Sequence, residues 1–587
     1  MRDPVCGMPI DEKTEYQTEV RGKTYFFCSE YCMRTFLEGG RIAYFSMEIG
    51  IFSDVPTYSG GLGALAGDTI RSAADLNVPV VAVTLVSKKG YFKQVITPEG
   101  RQIEYPDGWD PSKRMDLLPA QVKVRIEGRS VGVKAWMCDY QSLTGGLVSI
   151  LFLDTDVEGN NEDDREITSY LYGGDLRYRM KQELVLGVGG IRMLEATEFK
   201  VRKYHMNEGH SSFLAMELLK RDGMDSDKVR DLCVFTTHTP VPAAFDKFNY
   251  DEVSKVVGDE ISIDSLKEYG GQDELNMTFL ALNLSKYVNG VAKRHRDYSD
   301  ELFPGHHIRA ITNGIHSATW TCPCFRRLYD KYIPGWANEP ELLTRADEIP
   351  NEDVWEAHLE AKRAALDFVN ERTKAVLDLD VLTIGFARRA TAYKRHDLLF
   401  SDIERLKQVN KIGKIQGIFA GKAHPKDEYG KKLIEMVYRH IKELEGTIKF
   451  VYLQDYDMDM AAKLTSGVDV WLNTPLPPYE ASGTSGMKAA HNGVLNFSVL
   501  DGWWIEGNIE GITGWSIGPP PDGQVSETER REHELMDLYN KLEYVILPMF
   551  YDRRDEWIGM MRNSISKLAY YFNSHRMMRR YATEAYL

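Results

Sequence analysis

The stretch Tyr479-Glu-Ala-Ser-Gly-Thr-Ser-Gly-Met-Lys-Ala-Ala-His-Asn-Gly493 decides the fold of this chain. An apolar segment, Val468-Asp-Val-Trp-Leu-Asn473, precedes it, and a second one, Val494-Leu-Asn-Phe-Ser-Val-Leu500, follows it. A strand, a glycine-rich turn, a short helix and another strand form one unit of a parallel α/β sheet. The first helical turn would expose the N–H groups of residues 483–486, and such groups bind anions with support from the helix dipole. The sequence therefore predicts an anion site, suited to a phosphate group, at this turn.

Lys488 lies one turn further along this helix, beside Met487, Ala489 and Ala490. Desolvation on a largely apolar helix favours the neutral amine of a lysine, and a neutral amine can form a Schiff base. A glycine-rich turn that opens a helix next to a solvated lysine fits the same spacing. The spacing alone leaves both interpretations open.

The particular residues favour the first interpretation. The segment Glu480-Ala-Ser-Gly-Thr-Ser-Gly-Met-Lys488, followed by Asn492-Gly493, closely resembles the pyridoxal phosphate lysine segment of the α-glucan phosphorylases, the family of glycogen, starch and maltodextrin phosphorylases. The resemblance implies that Lys488 is the Schiff-base lysine. It also implies that Glu480, Ser482 and Gly483 contact the glucosyl unit at the cleaved bond.

Composition sets the outer limits of the interpretation. A length of 587 residues allows several domains, and 43% hydrophobic with 27% charged residues is ordinary for a soluble globular protein. The N-terminus lacks the basic and apolar regions of a secretory signal, and no apolar run reaches membrane-spanning length, so we expect a cytoplasmic protein. The net charge of −15 disfavours nucleic acid or an anionic membrane as a partner. Seven cysteines, an odd number in a long chain, argue against a disulfide framework.

Residues 1–40 have the features of a separate module. Cys6 precedes a hairpin-like stretch, and Cys28 and Cys32 follow it at the spacing of one helical turn. The pattern resembles the YHS/TRASH-type metal-binding domains, which implies that Cys6, Cys28 and Cys32 hold zinc or another soft metal. Because no fourth ligand is evident, three half-buried thiols in a small core remain the alternative. Gly39-Gly40 is typical of a hinge that ends the module.

Residues 41–378 are predicted to form a first Rossmann-like domain. A strand over residues 41–46 precedes Gly60-Gly-Leu-Gly63, which opens a helix extending to Asp75 and has phosphate-binding geometry. Taken alone, this glycine turn fits close helix packing equally well. The phosphorylase resemblance implies a loop beside the catalytic phosphate, with Gly61 on the cofactor and Gly60 and Leu62 on the substrate. Further strands are predicted over residues 78–86, 122–136 (with a hairpin near 127–128), 147–153, 203–206 and 233–238.

Three polar positions follow strands of this domain, where open α/β sheets bind ligands. Asn207 begins an Asn-Glu-Gly-His segment that resembles the Asn-Asp-x-His segment of phosphorylases, and His238 matches the family's histidine that reaches the sugar 6-hydroxyl. Asp175 precedes a helix near residues 179–183 and is predicted to shape the entrance of the site. For Asp175 and for His210 of the Asn207 segment, a purely structural role remains equally open.

Residues 379–587 are predicted to form a second Rossmann-like domain, after a long helix over residues 355–377. Apolar strands over 381–386, 415–420, 448–453, 468–472 and 494–500 alternate with amphipathic helices, which predicts a parallel sheet. A helix-rich tail spans residues 527–587.

Directly after the first of these strands comes the basic segment Arg388-Arg-Ala-Thr-Ala-Tyr-Lys-Arg395. Four cationic side chains at a strand end suit a phosphate dianion, although most charge runs are solvated loops. The family resemblance implies that Arg389 and Lys394 bind the attacking phosphate.

The cofactor contacts follow from the same resemblance, with one departure. Tyr456 fits a family tyrosine beside the cofactor, but Asp457 stands where animal-type enzymes have an arginine on the cofactor phosphate. We therefore expect Arg388 and the backbone of Thr484 to take over that contact.

The strand and helix pattern predicts an α/β protein with two Rossmann-like domains, preceded by a small cysteine-containing α+β module, and the phosphorylase resemblance implies that the two domains face across a cleft (the GT-B glycosyltransferase architecture). The implied activity is pyridoxal 5′-phosphate-dependent phosphorolysis of α-1,4-glucans, with glucan and inorganic phosphate as partners and α-glucose 1-phosphate as the product. A homo-oligomer is compatible with the sequence. The alternatives are a nucleotide-sugar-dependent glucan synthase of the same fold and a non-catalytic metal-sensing or carbohydrate-binding protein.

Overall fold

The computed structural model describes the chain except for residues 1, 2, 4–7, 12, 21, 22, 143, 242–244 and 522–524. Its N-terminal part contains an antiparallel hairpin, Gln17–Val20 with Lys23–Phe26, and the helix Glu30–Glu38. Phe27 is fully buried in a small core that includes Cys32. The hairpin near residue 24 and the helix carrying Cys32 were both predicted.

The first large sheet has nine strands, of which the seven toward one edge run parallel. Two longer strands continue it antiparallel at the other edge. In spatial order the strands are Arg309–Ala310, Tyr287–Gly290, Cys233–Thr236, Val201–Asn207, Arg41–Ser46, Val80–Leu85, Leu147–Asp154, Arg129–Gln141 and Asp116–Ile126.

Burial explains the two kinds of strand. Arg41–Ser46 and Val80–Leu85 are buried along nearly their whole length because helices cover both faces of a parallel sheet. The edge strand Asp116–Ile126 carries several exposed side chains, as expected where one side of the strand meets water. The hairpin predicted near residues 127–128 is confirmed, with Glu127 and Gly128 both at positive φ in the turn.

The second large sheet is a six-stranded parallel sheet. All five strands predicted from the sequence are present, and that over residues 415–420 has the predicted bounds. A sixth strand, not predicted, extends one edge. In spatial order they are Lys449–Leu453, Ile415–Ala420, Leu382–Ala387, Val470–Asn473, Leu495–Val499 and Gly514–Ile517.

Two further two-stranded sheets lie outside the large ones, Lys93–Ile96 with Gln102–Tyr105 and Lys247–Asn249 with Glu274–Asn276. The remaining α-helices are Gly61–Asp75, Glu162–Arg165, Leu176–Leu184, Gly190–Ala196, Phe213–Arg221, Ser226–Leu232, Tyr250–Val257, Ile263–Gly270, Met277–Asn283, Lys293–Leu302, Ser317–Trp320, Pro323–Tyr332, Asn351–Thr373, Ile403–Ile412, Glu428–Glu443, Met458–Gly467, Ser485–Ala490, Trp504–Gly507, Glu527–Lys541, Leu547–Asp552, Arg554–Ser564 and Ser574–Glu584. None of the helices in the described part of the chain is both long and apolar enough to cross a membrane.

The long helix Asn351–Thr373 begins and ends four residues before the predicted bounds, and Lys374 closes it in the left-handed conformation. Buried residues between 324 and 361, including the N-terminal half of this helix, share a hydrophobic core with the second sheet. The predicted domain boundary between residues 378 and 379 follows this helix and stays a prediction.

The last helix of the tail, Ser574–Glu584, crosses back to the first sheet. Met577, Met578 and Tyr581 pack in the core around the helix Gly61–Asp75. At the end of that helix, Asp75 accepts hydrogen bonds from His316 and His575 at 2.7 and 2.8 Å. The tail therefore joins the first sheet to the second half of the chain.

A buried carboxylate, Asp469, ties the long helix to the second sheet. It accepts hydrogen bonds from Lys362 Nζ at 2.6 Å, from His358 Nε2 at 2.8 Å and from the backbone N–H of Thr383 at 2.7 Å. Lys362 is fully buried, so no water can replace the lost partner if the carboxylate is removed.

We expect Asp469→Ala to lower the free energy of unfolding by about 3–5 kcal/mol, because it leaves the charge of Lys362 buried without a counter-charge and with only the Val381 carbonyl as a hydrogen-bond acceptor. Urea unfolding of the variant and the parent protein measures the loss. Glu360→Gln is the matched control. Glu360 lies on the same helix as Lys362, and the variant removes only its exposed ion pair with Arg327, so stability should be unchanged. Equal midpoints for Asp469→Ala and Glu360→Gln would contradict the role given to Asp469.

Candidate functional site

A cavity of about 710 Å³ opens at the carboxyl ends of strands from both large sheets. Loops that follow Arg41–Ser46, Val201–Asn207 and Cys233–Thr236 line it from the first sheet, and loops after Leu382–Ala387 and Lys449–Leu453 line it from the second. Parallel α/β sheets bind ligands at this edge. The predicted site residues that line the cavity are Gly60, Gly61, Leu62, Asp175, His238, Arg388, Arg389, Lys394, Tyr456, Glu480, Ser482, Gly483, Thr484 and Lys488.

Lys488 lines this cavity from the helix Ser485–Ala490 and is only 7% exposed. Its Nζ lies 3.4 Å from the centroid of the Trp320 ring, and the Trp320 indole N–H donates to both oxygens of Asp68, at 3.0 and 2.8 Å. Burial lowers the pKa of Lys488 to about 8, with opposing smaller effects from Asp68 and Arg71. With that pKa, about a tenth of the amine is neutral at pH 7, far more than for an ordinary lysine.

The basic segment divides into cavity-facing and structural cations. Arg388 Nη2 lies 2.5 Å from Glu480, and Lys394 Nζ lies 2.6 Å from the same carboxylate. Burial alone would raise the pKa of Glu480, but the two cations lower it to about 2. Arg395, counted in the sequence as a fourth phosphate-facing cation, instead pairs with the buried Glu534 and donates to main-chain carbonyls.

Arg389 differs from its neighbours because it forms no ion pair with any residue in the described part of the chain, and its side chain lines the cavity. The pKa of Arg389 is raised, since nearby tyrosines and Glu48 outweigh the larger single effect of burial, which lowers it. Arg388 also keeps two buried guanidinium nitrogens, Nε and Nη1, that find no hydrogen-bond partner among the residues the structure describes. The segment thus presents uncommitted cationic donors to an anion in the cavity.

Glu48, which sequence reasoning missed, fixes the glycine turn on the opposite wall. Its carboxylate accepts hydrogen bonds from the backbone N–H groups of Ser59 at 2.5 Å and Gly60 at 3.3 Å, and from the hydroxyl of Tyr172 at 2.9 Å. A Cβ built on Gly60 or Gly61 would meet nothing within 4 Å, so both glycines leave open space at the start of the helix Gly61–Asp75. A ligand can approach that backbone closely. In the sequence, the one indication of a role for Glu48 is that it follows the end of the strand Arg41–Ser46 by two residues.

His238 and Asn207 form one hydrogen-bonded unit in which only His238 faces the cavity. Asn207 Nδ2 donates to the Ser46 hydroxyl at 3.0 Å, and that hydroxyl donates to the carbonyl of Glu48. Asn207 Oδ1 is therefore the acceptor of the 2.6 Å bond to His238 Nε2, which must carry the proton. Burial lowers the pKa of His238 to about 3, so the ring is neutral and its Nδ1 can accept a hydrogen bond.

Glu208, also missed from the sequence, holds the loop that carries His238. Its backbone has a positive φ of 75°, and its side chain accepts hydrogen bonds from the N–H of His238 at 2.8 Å and from Thr239 Oγ1 at 2.9 Å. A non-glycine residue at positive φ is strained, and such strain persists where the surroundings hold it in place. The neighbouring His210 also lines the cavity.

Other predicted residues lie on the rim and floor of the cavity. Asp175 is exposed and caps the helix Leu176–Leu184 through the N–H of Tyr178, whereas the buried Ser482 hydroxyl has no hydrogen-bond partner among the described residues. Asp457, which departs from the animal-type pattern, caps the helix Met458–Gly467 by accepting a hydrogen bond from Met460 at 2.7 Å. Its carboxylate has a local structural use, so an anion would have to be held by other groups.

A second cluster lies in the N-terminal module. Cys28 Sγ and Cys32 Sγ are 3.7 Å apart, and Asp3, which sequence reasoning did not single out, accepts a hydrogen bond from the Cys28 N–H at 2.6 Å. Ligand atoms of all three residues lie within 4.8 Å of one another. Cys6, the third predicted thiolate ligand, lies outside the described residues.

Comparison with known families divides the chain in the same way as these two sites. Residues 237–512 match the carbohydrate phosphorylase family, and residues 1–39 match the YHS domain family. The first match contains Lys488 and the basic segment, and the second contains all three cysteines of the module.

Curated relatives extend the similarity over most of the chain. This chain is 39% identical to a maltodextrin phosphorylase of Thermococcus litoralis, and the similarity covers 93% of this chain and 70% of that protein. It is 36% identical to glycogen phosphorylases of Aquifex aeolicus and of Mycobacterium tuberculosis, in each case over 93% of this chain and over 86% and 70% of the relatives. With similarity of this extent and a cavity built from the residues that carry it, the chain belongs to the carbohydrate phosphorylase family.

Proposed function

We propose that the protein is an α-1,4-glucan phosphorylase that uses pyridoxal 5′-phosphate and inorganic phosphate to release α-glucose 1-phosphate, with retention of configuration, from the non-reducing end of glycogen, starch or maltodextrin. The observation that carries the proposal is one cavity in which a buried, readily neutral lysine faces uncommitted arginine donors. Both large sheets contribute to that cavity, which supports the two-domain cleft of the GT-B architecture.

The cavity residues fit the cofactor. Lys488 offers a buried amine for covalent attachment beside the Trp320 ring, and Tyr58 and Tyr456 offer further ring surfaces in the same cavity. The unpartnered Arg388 nitrogens are suited to the cofactor phosphate, with the Thr484 backbone and the Gly61 turn as further donors. When bound, the cofactor would supply a phosphate group that supports proton transfer and charge at the reacting centre.

The remaining side chains suit the two substrates. Arg389, Lys394 and the turn at Gly60 and Leu62 would hold inorganic phosphate against the cleaved bond. Because its pKa is about 2, Glu480 cannot act as the acid that protonates the leaving oxygen, and we assign that proton to the bound phosphate. Cleavage at an anomeric centre develops positive charge on the sugar, which the phosphate dianion stabilises before it attacks.

Sugar recognition would use the neutral His238 ring together with the carboxylate of Glu480, which is paired with two cations. His238 Nδ1 can accept a hydrogen bond from a sugar hydroxyl, and Asn207 contributes by holding the ring in that tautomer. Glu480, Ser482 and Gly483 would contact the glucosyl unit from the opposite side, while Asp175 would shape the entrance.

The absorbance spectrum of the purified protein tests the cofactor assignment. It also distinguishes a phosphorylase from the first alternative, a nucleotide-sugar-dependent glucan synthase. We expect near-ultraviolet or visible absorbance from a bound pyridoxal group, lost on removal of the cofactor. A nucleotide-sugar-dependent glucan synthase does not require this group, so a protein with no such absorbance that turns over a nucleotide sugar would contradict the proposal. A protein that binds glucan but makes no sugar phosphate would favour the non-catalytic alternative.

Cofactor attachment should depend on pH through Lys488. Only the neutral amine reacts, so the rate of attachment to cofactor-free protein should rise about tenfold per pH unit below pH 8 and level off above it. With an ordinary lysine, whose pKa is about 10.4, the rate of attachment would level off more than two pH units higher. Stopped-flow absorbance between pH 6.5 and 9.5 measures the profile, with an acetylated lysine amide as the reference. A rate still rising steeply above pH 9 would contradict the environment assigned to Lys488.

We further propose that the N-terminal module binds zinc or another soft metal through Cys6, Cys28, Cys32 and Asp3. Two thiolates and a carboxylate within 4.8 Å support the assignment, and Asp3 supplies the fourth ligand that sequence analysis lacked. We expect about one equivalent of zinc in the full protein and none in the Cys28→Ser, Cys32→Ser double variant. Cys138→Ala, which removes a buried thiol elsewhere, should retain the metal. Equal zinc content in the double variant and the parent would rule out this site.

A further inference from the structure

Two cysteines outside both sites form a close pair at the start of a helix. Cys322 and Cys324 flank Pro323, the first residue of the helix Pro323–Tyr332, and their sulfur atoms are 3.1 Å apart. Both are free thiols. A disulfide bond needs the sulfurs at about 2.05 Å, so a shift of about one ångström would join them.

The two thiols differ in a way that fits sequential reaction. Cys322 is partly exposed, whereas Cys324 is only 6% exposed. Hydrogen bonding from Cys324 lowers the pKa of the Cys322 thiol, and the helix start favours a thiolate there. By contrast, burial raises the pKa of both Cys138 and Cys233 to about 12, which leaves those thiols unreactive.

We propose that Cys322 and Cys324 form a reversible dithiol–disulfide couple, with Cys322 as the attacking thiol and Cys324 as the resolving thiol. The oxidant is a low-molecular-weight disulfide such as oxidised glutathione. The Cys322 thiolate attacks one sulfur of that disulfide, forms a mixed disulfide and releases one glutathione, which takes up a proton. Cys324 then loses its proton and attacks the Cys322 sulfur, which closes the protein disulfide and releases the second glutathione.

The pair is connected to the candidate active site by hydrogen bonds. The Cys322 N–H donates to Asn492 Oδ1 at 2.8 Å, and the Asn492 amide donates to the carbonyls of Trp320 and Lys488, each at 2.9 Å. Asn492 is completely buried, so it cannot follow a displaced partner into solvent. Closing the disulfide therefore pulls on the segment that supports Lys488 and Trp320. This part of the inference rests on the function proposed above for Lys488.

Peptide mapping tests the couple independently of that function. Trypsin places both cysteines, and no others, on the peptide 310–326, while Cys28 and Cys32 fall on 24–34. After equilibration of the full protein with oxidised glutathione, peptide 310–326 should be lighter by the mass of two hydrogen atoms and resist alkylation. Reduced glutathione should restore two alkylation sites. A peptide that stays alkylatable on both cysteines under oxidising conditions would overturn the proposal.

Single variants test the order of attack. Cys324→Ser should accumulate a glutathione adduct on Cys322, whereas Cys322→Ser should accumulate little on the buried Cys324. The same adduct level on both variants would overturn the assigned roles.

Turnover tests the link to Lys488. The oxidised parent protein should form glucose 1-phosphate more slowly than the reduced protein. The turnover rate of Cys322→Ser should be the same after treatment with oxidised and with reduced glutathione. Equal turnover of the oxidised and reduced parent would remove that link. Absence of turnover in both would count against the proposed function, and peptide 310–326 would still report on the couple.

Discussion

Lys488→Ala is expected to lose covalently held pyridoxal phosphate and all measurable phosphorolysis. Lys488 combines a buried amine, a pKa of about 8 and a position in the wall of the cavity. Borohydride reduction of the parent protein, followed by peptide mapping, should place the pyridoxyl label on Lys488. The variant should carry no label.

Lys463→Ala is a matched control for this experiment. Lys463 belongs to the neighbouring helix Met458–Gly467, and it does not line the cavity. This variant should keep both the label and the activity. A pyridoxyl label on another lysine, with none on Lys488, would refute the assignment.

Arg389→Ala is expected to raise the apparent KM for phosphate about ten- to a hundredfold, with a smaller effect on glucan binding. A charge-assisted hydrogen bond to a dianion contributes roughly 1.5–3 kcal/mol, which corresponds to that range. The effect should be specific to phosphate because Arg389 has no ion-pair partner among the described residues. Steady-state kinetics with phosphate and glucan varied separately measures both constants.

Lys394→Ala should behave differently from Arg389→Ala. It removes a hydrogen-bond donor to phosphate and also one of the two cations that hold Glu480. The apparent KM values for phosphate and for glucan should therefore both rise. Arg531→Ala, which removes a partly exposed cation that does not line the cavity, should change neither constant. Unchanged phosphate kinetics in both Arg389→Ala and Lys394→Ala would reject the phosphate clamp.

The sequence was sufficient where residue pattern and local geometry agree. The apolar segment 415–420 is a strand with the expected bounds, and the glycine turn at Gly60 begins the expected helix. These features depend on neighbours in sequence, which a pattern records. The strands Tyr287–Gly290 and Gly514–Ile517 were missed because both are short and contain glycine, which weakens the signal of an isolated strand.

Contacts between distant residues account for what the pattern did not reveal. The basic segment suggested four phosphate-facing cations, but Arg395 is held by Glu534, a residue 139 positions away. Glu48 fixes the glycine turn, and Asp3 approaches Cys28 only after the chain has folded. No spacing rule records such pairings. The family resemblance supplied site residues around Lys488, and the structure added the groups that hold them in place.

Phosphorus NMR of one reaction mixture tests the central claim most directly. The purified protein, loaded with pyridoxal phosphate, is incubated with maltodextrin and inorganic phosphate, and Lys488→Ala serves as the inactive control. We expect the inorganic phosphate signal to fall while that of α-glucose 1-phosphate grows by the same amount. Release of reducing sugar without a new phosphorus signal, or no reaction with fully loaded protein, would contradict it.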